Sequence, residues 1–256
     1  MYENTRNRVW SSIQNSIRDM NMPTPWTFFD SIYCISVDDR IDRREQVKKQ
    51  FADVGLLGRV EFVIVTRHPQ NREKGIFESH MLCLRKGLEA GSQHILVFED
   101  DVHFRDFDPG VLSEACLHLD RLENWNTLFL GGITSMSSKT GVSSLVRIKY
   151  RCLAHAYVLN APFARRIVQE EWTDIPFDEL LRRNNADFFA IYPMCAFQGL
   201  FESDNQTVVI DKVRRVFGGL AFIQKMNEMC QNHKALFLVV HLIVVFSISL
   251  LVVNLW

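Results

Sequence analysis

The chain has 256 residues, enough for one large domain or two small ones with a substantial core. Its 29 basic and 30 acidic residues leave a formal charge of -1, which argues against a general attraction to nucleic acid or to an anionic membrane surface; any charge-driven binding is local. Six scattered cysteines form no Cys-x-x-Cys pair and no zinc-ligand spacing, and several sit in apolar segments, so we read them as buried thiols of a reducing compartment.

Residues 1–29 carry charges throughout and contain no apolar run resembling a secretory signal. Val9, Ile13 and Ile17 give residues 6–20 the spacing of a short amphipathic helix, ended by Pro23 and Pro25, and we assign residues 1–30 to a peripheral arm. Residues 31–37 read as a buried strand, and the charged run from Asp38 to Arg44 opens a helix whose inward face is Val47, Phe51 and Val54. A second strand over 60–65 and a polar loop over 66–74 follow. The next helix, 77–88, carries Met81, Leu84 and Leu88 on one face, with Gly91 as its terminator. The run Ile95-Leu96-Val97-Phe98-Glu99-Asp100-Asp101-Val102 supplies the third strand and ends it in three carboxylates. Strand–helix alternation of this kind predicts a doubly wound parallel sheet with right-handed crossovers, so the first half of this α/β chain is Rossmann-like.

The second half is mixed. A helix over 111–122 and a short strand over 127–130 precede the Gly- and Ser-rich stretch 131–144, which we expect to be a mobile loop. Two β-like runs, 145–148 and 155–159, lead to helices starting near Pro162 and Pro176, and the last core segments are 188–192 and 195–197. No linker composition or repeat divides the chain, and we assign one domain to 31–213. A juxtamembrane helix over 214–234 then leads into an apolar tail. Residues 235–253 are broken only by His241, Ser247 and Ser249, which reads as a transmembrane helix within 235–256. Lys212, Arg214, Arg215, Lys225 and Lys234 lie upstream and no charge follows. The expectation is a single-pass C-terminal anchor with the globular domain in the cytoplasm.

Neither Gly-x-Gly-x-x-Gly nor the P-loop pattern occurs, which argues against a dinucleotide enzyme or a P-loop NTPase, and no Gly-x-Ser-x-Gly marks an α/β-hydrolase. What stands out is Glu99-Asp100-Asp101 at the carboxyl end of a strand, where open α/β sheets bind ligands. Adjacent carboxylates repel one another unless water or a hard cation compensates them, and oxygen ligands suit Mg²⁺ or Mn²⁺. Arg40 and Arg43 follow the first strand and suit the phosphates of a nucleotide; the alternative is a solvated helix face on which they pair with Asp39, Asp42 or Glu45.

At these residues the sequence resembles a family. The segment from Ile32 to Arg44 is similar to the opening of family 25 glycosyltransferases, the group of lipopolysaccharide and collagen galactosyltransferases. Glu73-x-Gly75-x-x-x-Ser79-His80 resembles a second segment of that family, and Leu96-Val97-Phe98-Glu99-Asp100-Asp101-Val102-His103-Phe104 its strand and acidic motif. Segments beginning at Trp125, His155, Ile175 and Pro193 follow in the family's order, so the likeness covers about residues 32–204. Ser36, Val37, Arg72 and Ile76 depart from the pattern, as does the apolar tail. The resemblance implies a GT-A fold, a UDP-sugar donor and a divalent metal. By position, Glu99 and Asp101 would be the metal carboxylates, and Asp100 would face ribose or sugar. Arg40, Arg43 and Ser36 would lie by the nucleotide. Inverting transfer needs a base for the acceptor hydroxyl, and Asp178 is the candidate, the other reading being a first-turn carboxylate favoured by its helix. Gln198 would contact donor or acceptor; His80 reads as a residue bonded behind the site, and His103 as a weak metal-ligand candidate.

The implied activity is metal-dependent transfer of a hexose, notably galactose, from a UDP-sugar to a glycan or protein hydroxyl. The alternatives are an inactive membrane-tethered homologue serving as a binding or scaffolding module, and a different metal-dependent phosphate-transfer enzyme.

Overall fold

The computed structural model describes residues 24–199 and 219–235, with scattered single positions up to residue 249. Strands β1 (Ser31–Val37), β2 (Glu61–Val65) and β3 (His94–Glu99) alternate with helices α1 (Ile41–Asp53) and α2 (Arg72–Glu89). β1 pairs in parallel with β2 on one side and β3 on the other. This is the Rossmann-like half that strand–helix alternation predicts. Successive side chains on a strand point to opposite faces, so Ile32, Cys34, Leu96 and Phe98 pack on one face with Val47 and Phe51 of α1. Tyr33, Ile35, Ile95 and Val97 pack on the other with Met81 and Leu84 of α2. Both faces are covered, which is why these strands are apolar throughout; each fully buried Leu, Ile or Phe stabilises the fold by about 1.5–3 kcal/mol.

The second half contains β4 (Val102–Phe104), α3 (Pro109–Asp120), β5 (Thr127–Phe129), β6 (Ile133–Lys139), β7 (Leu145–Cys152) and β8 (Ala156–Asn160). It continues with α4 (Ala161–Ile167), α5 (Phe177–Arg183), β9 (Phe188–Ile191), β10 (Ala196–Gln198) and α6 (Gly219–Asn232). One mixed sheet runs in the order β2-β1-β3-β8-β5-β9-β7-β6. β8 lies antiparallel to both β3 and β5, whereas β5 and β9 are parallel. β4 and β10 form a separate antiparallel ribbon, in which Gln198 stands opposite Val102.

Several boundaries differ from the sequence reading. The third strand does not run through Val102: it ends at Glu99, and Asp100-Asp101 make the turn into the ribbon. α2 starts earlier than its apolar spacing suggests because the Asn71 side chain caps it, accepting from the Lys74 N–H at 3.0 Å. The stretch 131–144 is not simply a loop, since it holds β6, a polar strand at the sheet edge paired with β7. Its serines obey the preference for polar edges, and that polarity masked it. Residues at the end of the supposed arm belong to the core: Trp26 and Phe29 are buried, and Trp26 donates to the Val54 carbonyl at 2.9 Å.

α6 overlaps the expected juxtamembrane helix but is docked onto the domain. The Asn227 side chain donates to the Thr134 carbonyl at 2.9 Å, the Gln224 side chain to the Ala196 carbonyl at 2.7 Å, and Lys225 pairs with buried Glu228 at 2.7 Å. Among the described residues no helix is long and apolar enough to cross a membrane. The span expected within 235–256 falls almost wholly outside the described residues, as does most of the arm, residues 1–23.

Candidate active site

Val37, Val65 and Glu99, the last residues of β1, β2 and β3, open into a cleft of about 540 Å³, within the range of pockets that hold small ligands. Its walls carry opposite charges. Arg43 from α1 and Arg67, His68 and Arg72 from the segment after β2 supply the basic side, and Glu99, Asp100 and Asp101 the acidic one. Leu153, His155, Phe177, Asp178 and Gln198 close the cleft from the second half, with Gly219 and Leu220 of α6.

The three carboxylates have different surroundings. Asp100 is held from below: the buried Ser36 hydroxyl donates to it at 2.7 Å, and the Arg43 guanidinium stands 3.5 Å away. Burial nonetheless raises the Asp100 pKa, against the pull of Ser36 and Arg43. Asp101 accepts from the Gln198 amide through Oδ2 at 2.8 Å, while its enclosed Oδ1 has no hydrogen-bond partner. Glu99 is crowded by protein, although 31% of its side chain still meets the cleft. Burial first and the neighbouring Asp101 second push its carboxyl well above the usual range.

These features fit a hard divalent cation. A cation between Glu99 and Asp101 would relieve their repulsion and give the orphaned Asp101 oxygen a partner. Among the described residues no group of three His, Cys, Asp or Glu side chains could hold a metal ion. A cation would therefore rest on these two carboxylates, with water or a ligand's oxygens completing its shell, a common way of holding Mg²⁺.

Other sequence candidates part company. Arg43 is on the cleft wall, but Arg40 is not among its lining residues; its guanidinium lies along Asp42 with contacts of 3.0 and 2.9 Å and holds that exposed carboxyl down at about 2. Arg40 thus pairs with Asp42, as the helix-face alternative has it, whereas Arg43 lines the cleft. Ser36, also absent from the lining, orients Asp100 and accepts from Arg44 at 3.1 Å. His80 is a buried member of the cleft lining, with Nε2 at 3.3 Å from Glu99 and Nδ1 at 2.9 Å from the Tyr157 hydroxyl. Burial holds the His80 pKa down at about 4, so the ring is neutral at neutral pH. His103 lines a separate pocket with Gln46, Gln50 and Arg105 and is absent from the lining of the carboxylate cleft. Asp178 does line the cleft, but its carboxylate accepts from the Tyr150 hydroxyl and from the Leu153 and Ala154 N–H groups, the latter two at 3.0 Å.

Sequence reasoning missed Arg67 and Arg72 as cleft residues by treating residues 66–74 as a loop, although the rule that drew attention to Glu99 applies equally to the end of β2. It also missed His155, buried in the cleft wall with Nε2 donating to the Ala196 carbonyl at 3.2 Å and Nδ1 without a partner. Arg44 was overlooked as well; it ties the turn after β1 through the Val37 and Asp38 carbonyls.

Fold and cleft together define a mixed α/β protein with a charged cleft at its parallel strand ends. No protein-family model matches the sequence, and a search of curated proteins finds no match. Solved structures resemble it at a distance. A mannose-1-phosphate geranyltransferase from Thermus thermophilus shares 10% identity at a TM-score of 0.41, over 63% of this chain and 73% of that one. A glycosyltransferase involved in glycosylation of the major capsid of PBCV-1 shares 8% at 0.37, over 62% and 80%. A nucleoside-diphosphate-sugar pyrophosphorylase from Vibrio cholerae shares 12% at 0.30, over 64% and 74%.

Proposed function

We propose that the chain is a glycosyltransferase of the GT-A type, using a divalent cation to transfer a hexose from a nucleoside-diphosphate sugar to a hydroxyl of a glycan or protein. The carrying observation is the pairing of the Glu99–Asp101 carboxylates, one oxygen of Asp101 unpartnered, with Arg43, Arg67 and Arg72 lining the same cleft. A diphosphate with a bound cation matches that split: the arginines complement phosphate oxygens and the carboxylates complement the metal. When bound, Mn²⁺ or Mg²⁺ would neutralise the charge that develops on the departing diphosphate. Arg43 adds a donor to the same phosphates and, with Ser36, keeps Asp100 oriented towards the ribose or sugar. In the transfer, the acceptor oxygen bonds to the anomeric carbon as the bond from that carbon to the phosphate oxygen breaks, and the hydroxyl proton leaves to a base.

UDP as the nucleotide, galactose as the sugar and inversion as the outcome follow the family 25 resemblance. Asp178 is the candidate base by position; with three donors already on its carboxylate, we do not give it that role. The membrane anchor and cytoplasmic placement remain part of this proposal and rest on the apolar tail sequence. A panel of sugar nucleotides scored for metal-dependent hydrolysis and transfer tests the reading. Turnover of one donor, lost on chelation and restored by Mn²⁺, is expected; binding without turnover of any donor would favour the inactive binding module instead.

A further inference from the structure

Leu153, between β7 and β8, has a φ of 75°, a left-handed conformation that a branched side chain adopts only when its surroundings impose it. Those surroundings are Asp178. Its Oδ2 accepts the Leu153 N–H and its Oδ1 the Ala154 N–H, both at 3.0 Å, so one carboxylate spans two successive backbone donors. Tyr150 fixes the carboxylate in turn: its hydroxyl donates to Oδ1, and its buried ring stacks on Phe129 at 4.4 Å with the planes 12° apart. Burial first and the neighbouring Asp178 second push the Tyr150 phenol well above its ordinary pKa, which keeps the proton on tyrosine.

The clamped turn leads straight to the acidic site. The next residue, His155, accepts the Glu99 N–H through its carbonyl at 3.0 Å and reaches the Ala196 carbonyl through Nε2 at 3.2 Å. Leu153, Ala154 and His155 line the cleft beside Glu99. Phe177, the neighbour of Asp178, stacks on His80 at 4.3 Å with the planes 3° apart, and His80 lies 3.3 Å from Glu99.

We propose that Asp178 is a positioning residue: it locks the Leu153–Ala154 turn in its left-handed form and thereby sets the cleft wall against Glu99. This rests on the transferase reading only for its effect on turnover; the clamp itself is measurable without activity. Asn at position 178 would set an amide NH₂ against at least one of the three donors, so the strained turn would lose part of what holds it. Glycine at 153 takes a positive φ without strain and no longer needs the clamp.

The test uses the full chain as wild type, Asp178→Asn, Leu153→Gly and the double variant. Thermal unfolding should show a midpoint loss of several degrees for Asp178→Asn, at least half of it recovered when Leu153→Gly is added. In assays, Asp178→Asn should raise KM for the donor more than it lowers kcat, and the double variant should return KM to the Leu153→Gly value. A fall in kcat of roughly 100-fold or more at unchanged donor KM, with no rescue by glycine, would make Asp178 the proton acceptor and overturn the proposal. Additive midpoint shifts would overturn it equally. If Asp178→Asn does not fold, recovery of a folded double variant supports the clamp, and failure to recover counts against it. Should wild type turn over no sugar nucleotide, the transferase reading falls while the thermal cycle still decides the clamp.

Discussion

In the first half of the sheet, Arg43, Glu99, Asp100 and Asp101 reach the cleft because β1 and β3 end there; in the second half, Asp178, His155 and Gln198 are fixed by bonds between side chains and distant backbone or carboxylate atoms. The first arrangement depends on local sequence, namely buried strands with charges just past their ends. The second depends on close approach between segments far apart in the chain, such as Gln224 and His155 meeting at the Ala196 carbonyl. Damage to one half should therefore appear as lost ligand contacts, and damage to the other as lost stability with the site displaced.

The largest expected effect lies in the second half. A Cβ on Gly131 would sit 1.7 Å from the Ala196 carbonyl oxygen, a backbone atom that cannot swing aside, so Gly131→Ala must push β10 away. We expect a loss of about 3 kcal/mol in urea unfolding, at the upper end of ordinary overpacking, and a weaker hold of Gln198 on Asp101. Unchanged stability would show that the approach is loose and would blur the contrast between the halves.

His80 joins the two halves, since it lies on α2 yet stacks on Phe177. Its folded pKa of about 4 lies below its ordinary 6.5, so the unfolded chain binds the proton first as pH falls. Its contribution is fully present above pH 6.5 and is lost as pH drops towards 4, about 3 kcal/mol in all. Glu99, raised by burial and Asp101, works in the opposite sense: stability falls as pH climbs above its unfolded value of 4.5. Comparing the urea stability of wild type and His80→Gln across this window isolates the histidine; equal slopes would mean the ring is solvated.

The first half was the more legible in the sequence, for a physical reason. β1 and β3 are buried on both faces, so their apolar runs and the charges that end them were visible without knowledge of the fold. The polar edge strand β6 lacks an apolar run, and its pairing with β7 is a tertiary fact. Composition likewise could not separate Arg40 from Arg43, because both lie in one charged stretch and the difference is which side chain turns to the cleft. Asp178 was found by position, but its three donors come from Tyr150, Leu153 and Ala154, contacts that no local pattern encodes.

The two arginines give the smallest and sharpest comparison. Arg43→Ala should weaken UDP binding by roughly 10- to 100-fold, the value of one or two charge-assisted hydrogen bonds. Arg40→Ala should shift it by less than about twofold, because Arg40 is absent from the cleft lining and its partner Asp42 is exposed. Equal losses in titration calorimetry would put both side chains in the ligand site.

On the proposed reading, the carboxylates at the end of β3 hold a divalent cation against a nucleoside diphosphate. Calorimetric titration of UDP into wild type and Asp101→Asn, each with and without Mn²⁺, tests it most directly. Wild type should bind UDP far more tightly with Mn²⁺ than without, and Asp101→Asn, still folded by circular dichroism, should lose that difference. Metal-dependent affinity that survives in Asp101→Asn would contradict the account.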